Sequence, residues 1–584
     1  MEITSVYHRP ESEFAYLYDE KTMHIRLRTQ KGDMRGARLH YGDTGIFYLK
    51  GYEHCVPMQK ILTDKYYDYF ESKVKVSHHR IQYIFELEDQ AGLKLLYGDR
   101  GVVPNQKEQL NHFMNGFKLP YCHEVDRCKE PTWVKKTIWY QIFVDRFANG
   151  NPNRSPKKVC NWDPQRTPGH WDFYGGDLEG VIEHLDYLQD LGINGLYFCP
   201  IFESPSNHKY DTVDYYRIDP HFGDGKIFKH LVEEAHKCGM KVMLDAVFNH
   251  IGIASKYWQD VIQKGENSLY KDWFHIYSYP VWQDYDHMEK RFEQLNYDTF
   301  GYEPRMPKWN TADPEVKHYL LDIASYWIEN YDIDAWRMDV SDEIDHQFWR
   351  AFRQKVTAIK PDFYTVGEVW HNAQAWLNGD EYHAVMNYNL AESIKQYFLT
   401  GEIDTAELIH QVIVQQMKYR RQVTEAMLNL LDSHDTPRIL TLAKGNKDFV
   451  KAALTFLFLQ AGSPCLYYGT EVGLEGGEDP DNRRAMAWKL DQVDSEMKDF
   501  VKQLIHLRRT CLPQIFGDFH LTEEANGILA LEVGVDGQRL LARFNQTGQV
   551  LFLPQVGETL LSQKREGEYI GYGGFEVSFI KAPI

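Results

Sequence analysis

The stretch VKHYLLDIASYWIENYDIDAWRMDV (residues 316–340) combines an amphipathic helix with a short strand that ends in charged residues. Apolar residues recur every three or four positions over 316–331, as on one face of a helix. The segment 333–340 is mostly apolar without strict alternation, which is typical of a parallel strand buried on both faces. One helix–strand unit of this kind predicts an α/β fold with a parallel sheet.

The same unit recurs through the middle of the chain. Strand candidates lie at 137–147, 193–202, 241–250, 333–340, 362–370, 383–390, 425–435 and 463–473. Helical periodicity fills the intervals, for example over 177–192, 228–239, 316–331 and 346–360. Eight strand–helix units predict a (β/α)8 TIM barrel. A doubly wound sheet is the alternative, but no GxGxxG follows any strand candidate.

The segments outside the barrel predict β-structure at both ends and one insertion. Residues 1–125 alternate apolar and polar side chains, as in 24–30, 73–79 and 81–89, which indicates an antiparallel β-sandwich. The long interval between the third and fourth strands predicts an inserted lobe, and alternation returns near the C-terminus as an antiparallel β-domain. The predicted domains are 1–125 for the sandwich, 126–248 and 312–505 for the barrel, 249–311 for the lobe, and 506–584 for the C-terminal domain.

Composition disfavours nucleic acids and membranes as partners. The 584 residues include 65 Lys and Arg and 84 Asp and Glu. The resulting net charge of −19 repels phosphate backbones. The longest near-continuous apolar run, 452–459, is too short to span a bilayer. The N-terminus shows no signal-peptide pattern, and eight scattered cysteines form no CxxC pair. We therefore expect a cytoplasmic protein with reduced thiols.

Four strand candidates end in carboxylate-bearing residues. Asp245 lies in the third, Asp339 in the fourth, Glu368 in the fifth and Asp435 in the seventh. Active sites of such barrels lie at the carboxyl ends of the strands, so these side chains should meet at one rim. Each alone could be a buried ion pair or a helix cap. Four together favour a catalytic site, because clustered carboxylates repel one another.

The motifs around these carboxylates resemble those of the α-amylase family of retaining glycosidases. They are DAVFNH (245–250), AWRMDVSDE (335–343), GEVW (367–370) and LLDSHD (430–435), in the family's order. MPKWN (306–310) resembles a motif of the cyclomaltodextrinase, neopullulanase and maltogenic amylase subgroup, which also carries an extra N-terminal β-domain. Trp309 stands where that subgroup usually has Leu. YDTVDY (210–215) and EDPDNRRAM (478–486) resemble family segments that line the sugar subsites.

The resemblance implies a role for each motif residue. Asp339 would be the nucleophile and Glu368 the acid/base, the pair that retaining hydrolysis needs at about 5–5.5 Å. Asp435 would bind sugar hydroxyls and stabilise the oxocarbenium-like state. The implied substrate-binding residues are Tyr210, His250, Arg337, Trp370, His434, Asp479 and Arg483. A core position for Tyr210 and an exposed salt bridge for Asp479 with Arg483 stay open as alternatives.

The resemblance also raises the question of calcium. The subgroup often binds Ca²⁺ in the loop after the first barrel strand, at positions that correspond here to Asn149, Asn151, Gly175 and Asp177. Arg154 and Ser155 stand where further oxygen ligands would be expected. Calcium takes six to eight oxygens, usually several from carboxylates, so one carboxylate beside an arginine is a poor site. We expect that no cofactor is required.

Together, motifs and domains predict an enzyme that cleaves α-1,4-glucosidic bonds of cyclomaltodextrins, maltooligosaccharides and pullulan, with transglycosylation as a side activity. The resemblance implies a homodimer, or an assembly of dimers, in which the N-terminal domain of one subunit covers the active-site rim of another. An oligo-1,6-glucosidase or a branching enzyme on the same scaffold is the alternative. A catalytically inactive sugar-binding or accessory protein is the alternative of another class, although Asp339, Glu368 and Asp435 are all present.

Overall fold

Eight parallel strands form the central sheet of the computed structural model, which describes residues 1–76, 78–489 and 493–581. The first to eighth barrel strands are Trp139–Ile142, Gly195–Phe198, Lys241–Ala246, Ala335–Met338, Tyr364–Gly367, Ala384–Val385, Leu428–Asn429 and Ser463–Tyr467. The eighth strand pairs with both the seventh and the first. A parallel bridge between Met386 and Leu428 joins the sixth strand to the seventh and closes the ring. The predicted TIM barrel is confirmed.

Helices cover the barrel because each has an apolar face to bury against the strands. In Pro314–Tyr331, for example, Leu320, Ile323 and Trp327 are buried. The α-helices from the first strand to the C-terminal domain are Val144–Phe147, Leu178–Glu183, Leu185–Leu191, Gly225–Lys237, Lys256–Lys264, Arg291–Gln294, Pro314–Tyr331, His346–Ile359, Tyr388–Ile394, Thr405–Met417, Arg421–Ala426, Ile439–Leu442, Lys447–Phe458, Ser495–Thr510 and Leu512–Ile515. The last long helix, Ser495–Thr510, crosses the predicted domain boundary at 505.

Two expected helical segments differ from the structure. The helix expected over 177–192 is two helices, because the backbone at His184 leaves helical geometry at φ −111° and ψ 12°. Gly192 ends the second helix at φ +98°, a left-handed conformation that favours glycine. Between the fifth and sixth strands, an interval that is fully described, the chain forms only the short 3₁₀ helix Gln374–Trp376. This interval has to build a rim loop as well, which leaves little length for a crossover helix.

Several barrel strands are shorter than their apolar runs predicted. The first ends at Ile142 and gives way to the helix Val144–Phe147, and the sixth and seventh have only two paired residues each. Beyond these points side chains bind the backbone in place of a neighbouring strand. In the seventh-strand loop, for example, the Ser433 N–H donates to Thr436 Oγ1 at 3.0 Å. The apolar runs therefore include the first residues of the rim loops.

The inserted lobe after the third strand has an aromatic core with little regular structure. Trp258, Trp273, Phe274 and Trp309 are buried in it. The Trp309 ring stacks on Phe274 with centroids 4.9 Å apart. Trp309, the residue that departs from the subgroup motif, therefore packs the lobe rather than the rim of the barrel.

The N-terminal domain is the expected antiparallel β-sandwich. One sheet contains, in spatial order, Ala15–Leu17, Thr22–Gln30, Tyr67–Lys75 and Gln59–Thr63. The other contains His54–Pro57, Met34–Gly42, Ile81–Asp89, Lys94–Gly98 and Gly101–Pro104, with Phe117–Leu119 paired to Ile81–Asp89. Short helices span Phe47–Lys50 and Lys107–Leu110. The strand expected over 73–79 ends at Lys75, and Ser77 lies outside the described residues.

The C-terminal domain is a six-stranded antiparallel sheet, as expected. Its strands are Asp518–Glu523, Leu529–Val535, Gln538–Phe544, Leu551–Phe552, Glu558–Glu566 and Tyr569–Lys581. Phe544 and Phe575 face each other in its core, with centroids 5.9 Å apart. The last residues of the predicted domain, 582–584, lie outside the described part. Throughout the described ranges, every helix is too short or too polar to cross a bilayer.

Candidate active site

A cavity of about 690 Å³ opens where the barrel strands end. The three predicted catalytic residues, Asp339, Glu368 and Asp435, all line it. Most of the predicted substrate-binding residues line it as well: Tyr210, His250, Trp370, Asp479 and Arg483. Arg337 and His434 lie directly behind this lining and are buried. The barrel therefore brings all ten predicted catalytic and substrate-binding residues to one place.

One guanidinium group organises the carboxylates. Arg337 Nη1 donates to both carboxylate oxygens of Asp245 at 2.9 Å and to Asp339 Oδ1 at 2.8 Å. Arg337 Nη2 lies 2.6 Å from Glu368 Oε1. Arg337 and Asp245 are both fully buried. A single positive charge thus faces three carboxyl groups at the ends of three consecutive strands.

Burial raises the pKa of all three carboxyls around Arg337. For Asp245 the pKa rises to about 6, and for Asp339 it lies well above the usual range. The pKa of Glu368 is also raised, chiefly by burial and further by Asp435. Arg337 opposes each of these shifts. Because three ionised carboxylates would leave an unbalanced negative charge away from water, the cluster retains a proton near neutral pH.

A strained residue fixes Glu368. Val340 follows Asp339 with φ +45°, a left-handed conformation that a β-branched residue rarely adopts. This backbone directs the Val340 N–H at Glu368 Oε2, 3.0 Å away. Ser341 Oγ donates to the Glu368 carbonyl at 2.9 Å. Strain held in place next to reacting groups is typical of functional sites, and here it joins the fourth and fifth strand ends.

Asp435 is the most exposed of the three predicted catalytic carboxylates. Its Oδ2 lies 3.1 Å from His434 Nε2, and its Oδ1 lies 3.5 Å from Arg483 Nη2. Arg483 also pairs with Asp479 at 2.9 Å, and its Nε donates to the His434 carbonyl. The Arg483–Asp479 salt bridge, left open as an alternative, therefore exists and stands in the cavity wall beside Asp435.

Tyr210 lies against His434 inside the cavity. The two rings are parallel within 4°, with centroids 5.2 Å apart. The Tyr210 hydroxyl donates to Asp245 Oδ2 at 2.9 Å and lies 2.5 Å from His434 Nε2. Burial lowers the pKa of His434 well below its usual value, so the ring is neutral. The tyrosine is held at both its face and its hydroxyl.

His250 already has protein partners at both ring nitrogens. Its Nε2 donates to the Tyr210 carbonyl at 3.1 Å, and Asn249 Nδ2 approaches its Nδ1 at 3.4 Å. The ring packs on Phe300 with centroids 5.2 Å apart. Burial lowers its pKa to about 3. In this arrangement its contact with a ligand would be made by the edge of a neutral ring.

Aromatic side chains flank the mouth of the cavity. Trp370 is 47% exposed and stacks on Tyr388 at 3.6 Å and 8°. Trp171 is 69% exposed, and the Arg305 guanidinium lies 5.8 Å from its ring. Flat apolar faces next to polar groups suit the rings and hydroxyls of sugars.

Several residues of the site carried no assigned role in the sequence. Asp245 and Arg337 both lie at strand ends, so the strand-end pattern could have predicted the contact between them. Val340 lies inside a matched motif, but its residue type gives no indication that its backbone is left-handed. Trp171 and Phe300 come from loops without periodicity, so only the folded chain brings them to the cavity.

The loop considered as a calcium site is built around a helix cap. Asp177 is fully buried, and its carboxylate accepts the N–H groups of Gly150, Asn151 and Gly180 at 2.7–3.1 Å. Asn149 Nδ2 donates to Ser155 Oγ at 3.0 Å, while its buried Oδ1 has no partner among the described residues. Gly175 packs on Ser155 and Asn149. The buried carboxylate of this loop is therefore already committed to three N–H groups.

Arginine further weakens this loop as a cation site. Arg154 Nε donates to Glu179 Oε2 at 2.8 Å, and Asn151 Oδ1 accepts the Asn153 N–H. No group of three or more His, Cys, Asp or Glu side chains suitable for a metal occurs in the part of the chain that the structure describes. One free amide oxygen beside a guanidinium does not supply the oxygens that Ca²⁺ needs, so the residues present do not fit the ion.

Comparisons with known proteins agree with this architecture. Residues 141–512 match the family model "Alpha amylase, catalytic domain", and residues 1–123 match "Alpha amylase, N-terminal ig-like domain". The chain is 46% identical over 550 residues to the intracellular maltogenic amylase of Bacillus subtilis, covering 94% of this chain and 91% of that protein. It is 40% identical over 565 residues to neopullulanase 2 of Thermoactinomyces vulgaris, covering 95% of this chain and 94% of that protein.

A solved structure shows the same likeness in three dimensions. A cyclomaltodextrinase superposes with a TM-score of 0.91 at 38% identity, covering 99% of this chain and 100% of the other. The agreement includes the N-terminal sandwich, the barrel and the C-terminal sheet. This chain therefore belongs to the α-amylase family of glycoside hydrolases, within the group of cyclomaltodextrinases, maltogenic amylases and neopullulanases.

Proposed function

We propose that this enzyme cleaves α-1,4-glucosidic bonds of cyclomaltodextrins, linear maltooligosaccharides and pullulan with retention of configuration, and that it transglycosylates as a side activity. The observation that carries the proposal is that Asp339 and Glu368 share one guanidinium, at 2.8 and 2.6 Å. Such sharing aims both carboxyls into one part of the cavity, and the motifs around both residues resemble those of retaining glycosidases. Retaining enzymes separate the two carboxyls by about 5–5.5 Å, whereas inverting enzymes leave about 6.5–9.5 Å for a water.

In the first step Asp339 is the nucleophile and Glu368 the acid. An oxygen of Asp339 bonds to the anomeric carbon while the bond to the leaving oxygen breaks, and Glu368 gives its proton to that oxygen. Burial and Asp435 raise the pKa of Glu368, which keeps its proton available. Burial raises the pKa of Asp339 as well, but the Arg337 contact opposes that shift, favours the ionised form of Asp339 and aims it.

In the second step Glu368 acts as a base. It takes a proton from water, whose oxygen bonds to the anomeric carbon as the bond to Asp339 breaks. A sugar hydroxyl in place of water gives transglycosylation with the same balance of protons. Asp435, half-buried beside Arg483, binds hydroxyls of the cleaved ring and stabilises positive charge that develops on it. Tyr210 offers its ring beneath this sugar, and Trp370 lies on the leaving-group side next to Glu368.

The proposed mechanism does not require calcium. The candidate loop has one buried carboxylate, which accepts three backbone N–H groups, and an arginine paired with Glu179. The steps above use only protein side chains and water.

We further propose a cytoplasmic homodimer, or an assembly of dimers. The relative from B. subtilis is named intracellular, and all eight cysteines, each within the described residues, are free. The N-terminal domain exposes Tyr48 and Leu49 by 79% and 86%, with Met114 nearby at 53%. If a second copy covered these residues with its active-site rim, the N-terminal domain would narrow the cleft of that copy.

Product analysis tests the substrate proposal. β-Cyclodextrin, pullulan and soluble starch are incubated separately with the enzyme under identical conditions, and products are separated by size. We expect β-cyclodextrin to be opened and degraded to short maltooligosaccharides faster than starch is cleaved. New α-1,6 branches on amylose, or cleavage of isomaltooligosaccharides alone, would instead indicate a branching enzyme or an oligo-1,6-glucosidase.

A further inference from the structure

A chain of hydrogen bonds begins behind the cavity at Gln141. This residue lies on the first barrel strand and is buried. Its amide Nε2 lies 2.8 Å from His434 Nδ1, and His434 Nε2 lies 2.5 Å from the Tyr210 hydroxyl. Tyr210 reaches Asp245 at 2.9 Å, and Asp245 accepts from Arg337. The chain thus connects the first strand to the guanidinium that holds the catalytic pair.

The positive charge at one end determines the direction of every bond. Arg337 can only donate, so Asp245 accepts. Tyr210 has one hydroxyl proton and gives it to Asp245, so towards His434 its oxygen can only accept. Asp435 Oδ2 lies 3.1 Å from the same nitrogen, Nε2, and is a second acceptor there. His434 therefore carries its proton on Nε2, and its Nδ1 is an acceptor that needs a donor. The NH₂ group of the Gln141 amide is that donor.

The opposite orientation of the amide breaks the chain. With the Gln141 carbonyl oxygen facing His434, the imidazole proton would have to move to Nδ1. Nε2 and the Asp245 carboxylate would then compete for the single proton of Tyr210. A buried acceptor left without a donor costs stability, so only one arrangement satisfies all five groups.

We infer that Gln141 is a positioning residue. It holds His434 in its Nε2–H tautomer and thereby fixes the ring of Tyr210, which in the proposed function lies beneath the bound sugar. The inference rests on the proposed function, because there Tyr210 and His434 contact substrate. The parallel stacking of the two rings transmits the constraint, since rotation of His434 would displace the ring of Tyr210. Gln141 itself touches no reacting atom.

The groups around His434 are consistent with a neutral ring. Burial is the main cause that lowers the pKa of His434, and Arg483 and Arg337 add to it. The titratable and charged side chains that face His434 or its partners are Tyr197, Cys199, His208, Tyr210, Asp245, Arg337, Asp435 and Arg483. A neutral imidazole has two tautomers. The Tyr210 oxygen and Asp435 Oδ2 both accept at Nε2 of His434, and Gln141 is the contact that has to donate at Nδ1.

The variant Gln141→Glu tests the inference through its pH dependence. While a proton is shared between the introduced carboxyl group and Nδ1 of His434, the Nε2–H tautomer survives and activity should match the wild type. Once that proton is lost at higher pH, the carboxylate draws the remaining imidazole proton to Nδ1 and reverses the bond to Tyr210. The ratio of variant to wild-type kcat/KM on β-cyclodextrin should therefore stay near one on the acid side and fall about tenfold on the alkaline side. A ratio that is constant across the pH range would overturn the inference.

Two further variants separate positioning from simple destabilisation. Gln141→Leu removes the donor at every pH and should lower kcat about tenfold with little change in KM; a kcat within about twofold of the wild type would contradict the inference. Gln460→Glu is the matched control, because Gln460 is an equally buried amide whose Nε2 binds the carbonyl of Phe456, away from the cavity. Its activity ratio should not vary with pH.

A measurement on the wild type does not depend on any variant folding well. In ¹⁵N-histidine NMR of the intact enzyme, the signal of His434 can be assigned by its loss in His434→Asn. A protonated Nε2 and an unprotonated Nδ1 support the inference, and the opposite tautomer refutes it. If the wild type failed to cleave β-cyclodextrin, the proposed function would fall while this tautomer test would still stand. A normally active wild type with the wrong tautomer would contradict the inference alone.

Discussion

At the scale of single residues, Arg337 is the group on which the proposed chemistry depends. It is fully buried and contacts Asp245, Asp339 and Glu368 within 2.9 Å. The site needs one of these carboxyls ionised as a nucleophile and another protonated as an acid. Burial pushes every pKa upward while the guanidinium pulls it down. Small differences in contact therefore decide which carboxyl holds the proton.

Asp339→Asn should abolish hydrolysis without unfolding the protein. Removing the nucleophile blocks the covalent step, so we expect kcat on β-cyclodextrin to fall by a factor of about 10³ or more. Thermal unfolding by circular dichroism checks the fold. Asp380→Asn is the control, because Asp380 pairs with Arg350 at 2.7 Å outside the cavity and should leave kcat unchanged. More than a few percent of wild-type rate in Asp339→Asn, free of contaminating amylase, would refute the nucleophile assignment.

Glu368→Gln should spare substrates that need no acid. An aryl glycoside with a good leaving group departs without protonation, so its first step should be much less impaired than that of β-cyclodextrin. The acid role also predicts the direction in which the rate changes with pH. Burial raises the pKa of Glu368, and the acid is lost as pH rises through that value, so the wild-type rate falls on the alkaline side. In Glu368→Gln that alkaline fall should disappear with the aryl substrate. Equal losses on both substrates would argue against the acid role.

Residue types in motifs predicted which side chains meet at one cavity, because strand ends of a barrel converge by geometry; their catalytic and substrate-binding roles stay a prediction. All ten of those residues lie in or directly behind one cavity. Contacts through space could not be predicted. Gln141 and His434 are far apart in sequence, and the left-handed backbone of Val340 results from its neighbours rather than from its own side chain.

At the scale of elements, the rim loops are where the site is made. Short barrel strands release their last residues into loops that side chains hold in place, as Asp177 does for the loop after the first strand. Hydrophobic patterns predicted the strands correctly but could not predict where pairing ends, because apolar residues also fill the first positions of the loops. The same limit explains why the 177–192 helix was expected to be continuous.

Chelation should leave the enzyme active. The loop around Asp177 is held by N–H groups and by the Arg154–Glu179 ion pair, so EDTA should change the rate on β-cyclodextrin little and Tm by no more than a few degrees. Dialysis against EDTA, with re-addition of Ca²⁺ as the control, measures both quantities. A large loss that Ca²⁺ restores would mean that the loop binds the ion after all.

At the scale of the whole molecule, the N-terminal domain packs firmly on the barrel. Arg26, on its second strand, pairs with Glu71 at 2.8 Å and donates to the Tyr419 carbonyl of the barrel. Gln422 of the barrel donates to the Leu17 and Tyr18 carbonyls. The exposed residues Tyr48 and Leu49 lie elsewhere on the domain. The domain is therefore fixed to its own barrel and has a separate apolar surface to offer a second copy.

Light scattering at micromolar concentration should show a dimer or an assembly of dimers. Leu49→Asp places a charge on the exposed apolar surface and should give monomers with a weaker preference for β-cyclodextrin over starch. Val550→Asp, at a 68% exposed position of the C-terminal domain, is the control and should leave the assembly unchanged. A wild type that is monomeric and cleaves starch as fast as β-cyclodextrin would contradict the proposed assembly.

The anomeric form of the first product tests the central claim most directly. Retaining hydrolysis through a covalent bond to Asp339 inverts the anomeric carbon twice and so releases the α-anomer. Proton NMR during the first minutes of hydrolysis of a maltooligosaccharide, before mutarotation, distinguishes the two anomers. The proposed covalent bond to Asp339 predicts that the α-anomer appears first and the β-anomer grows in later. Initial appearance of the β-anomer would contradict it.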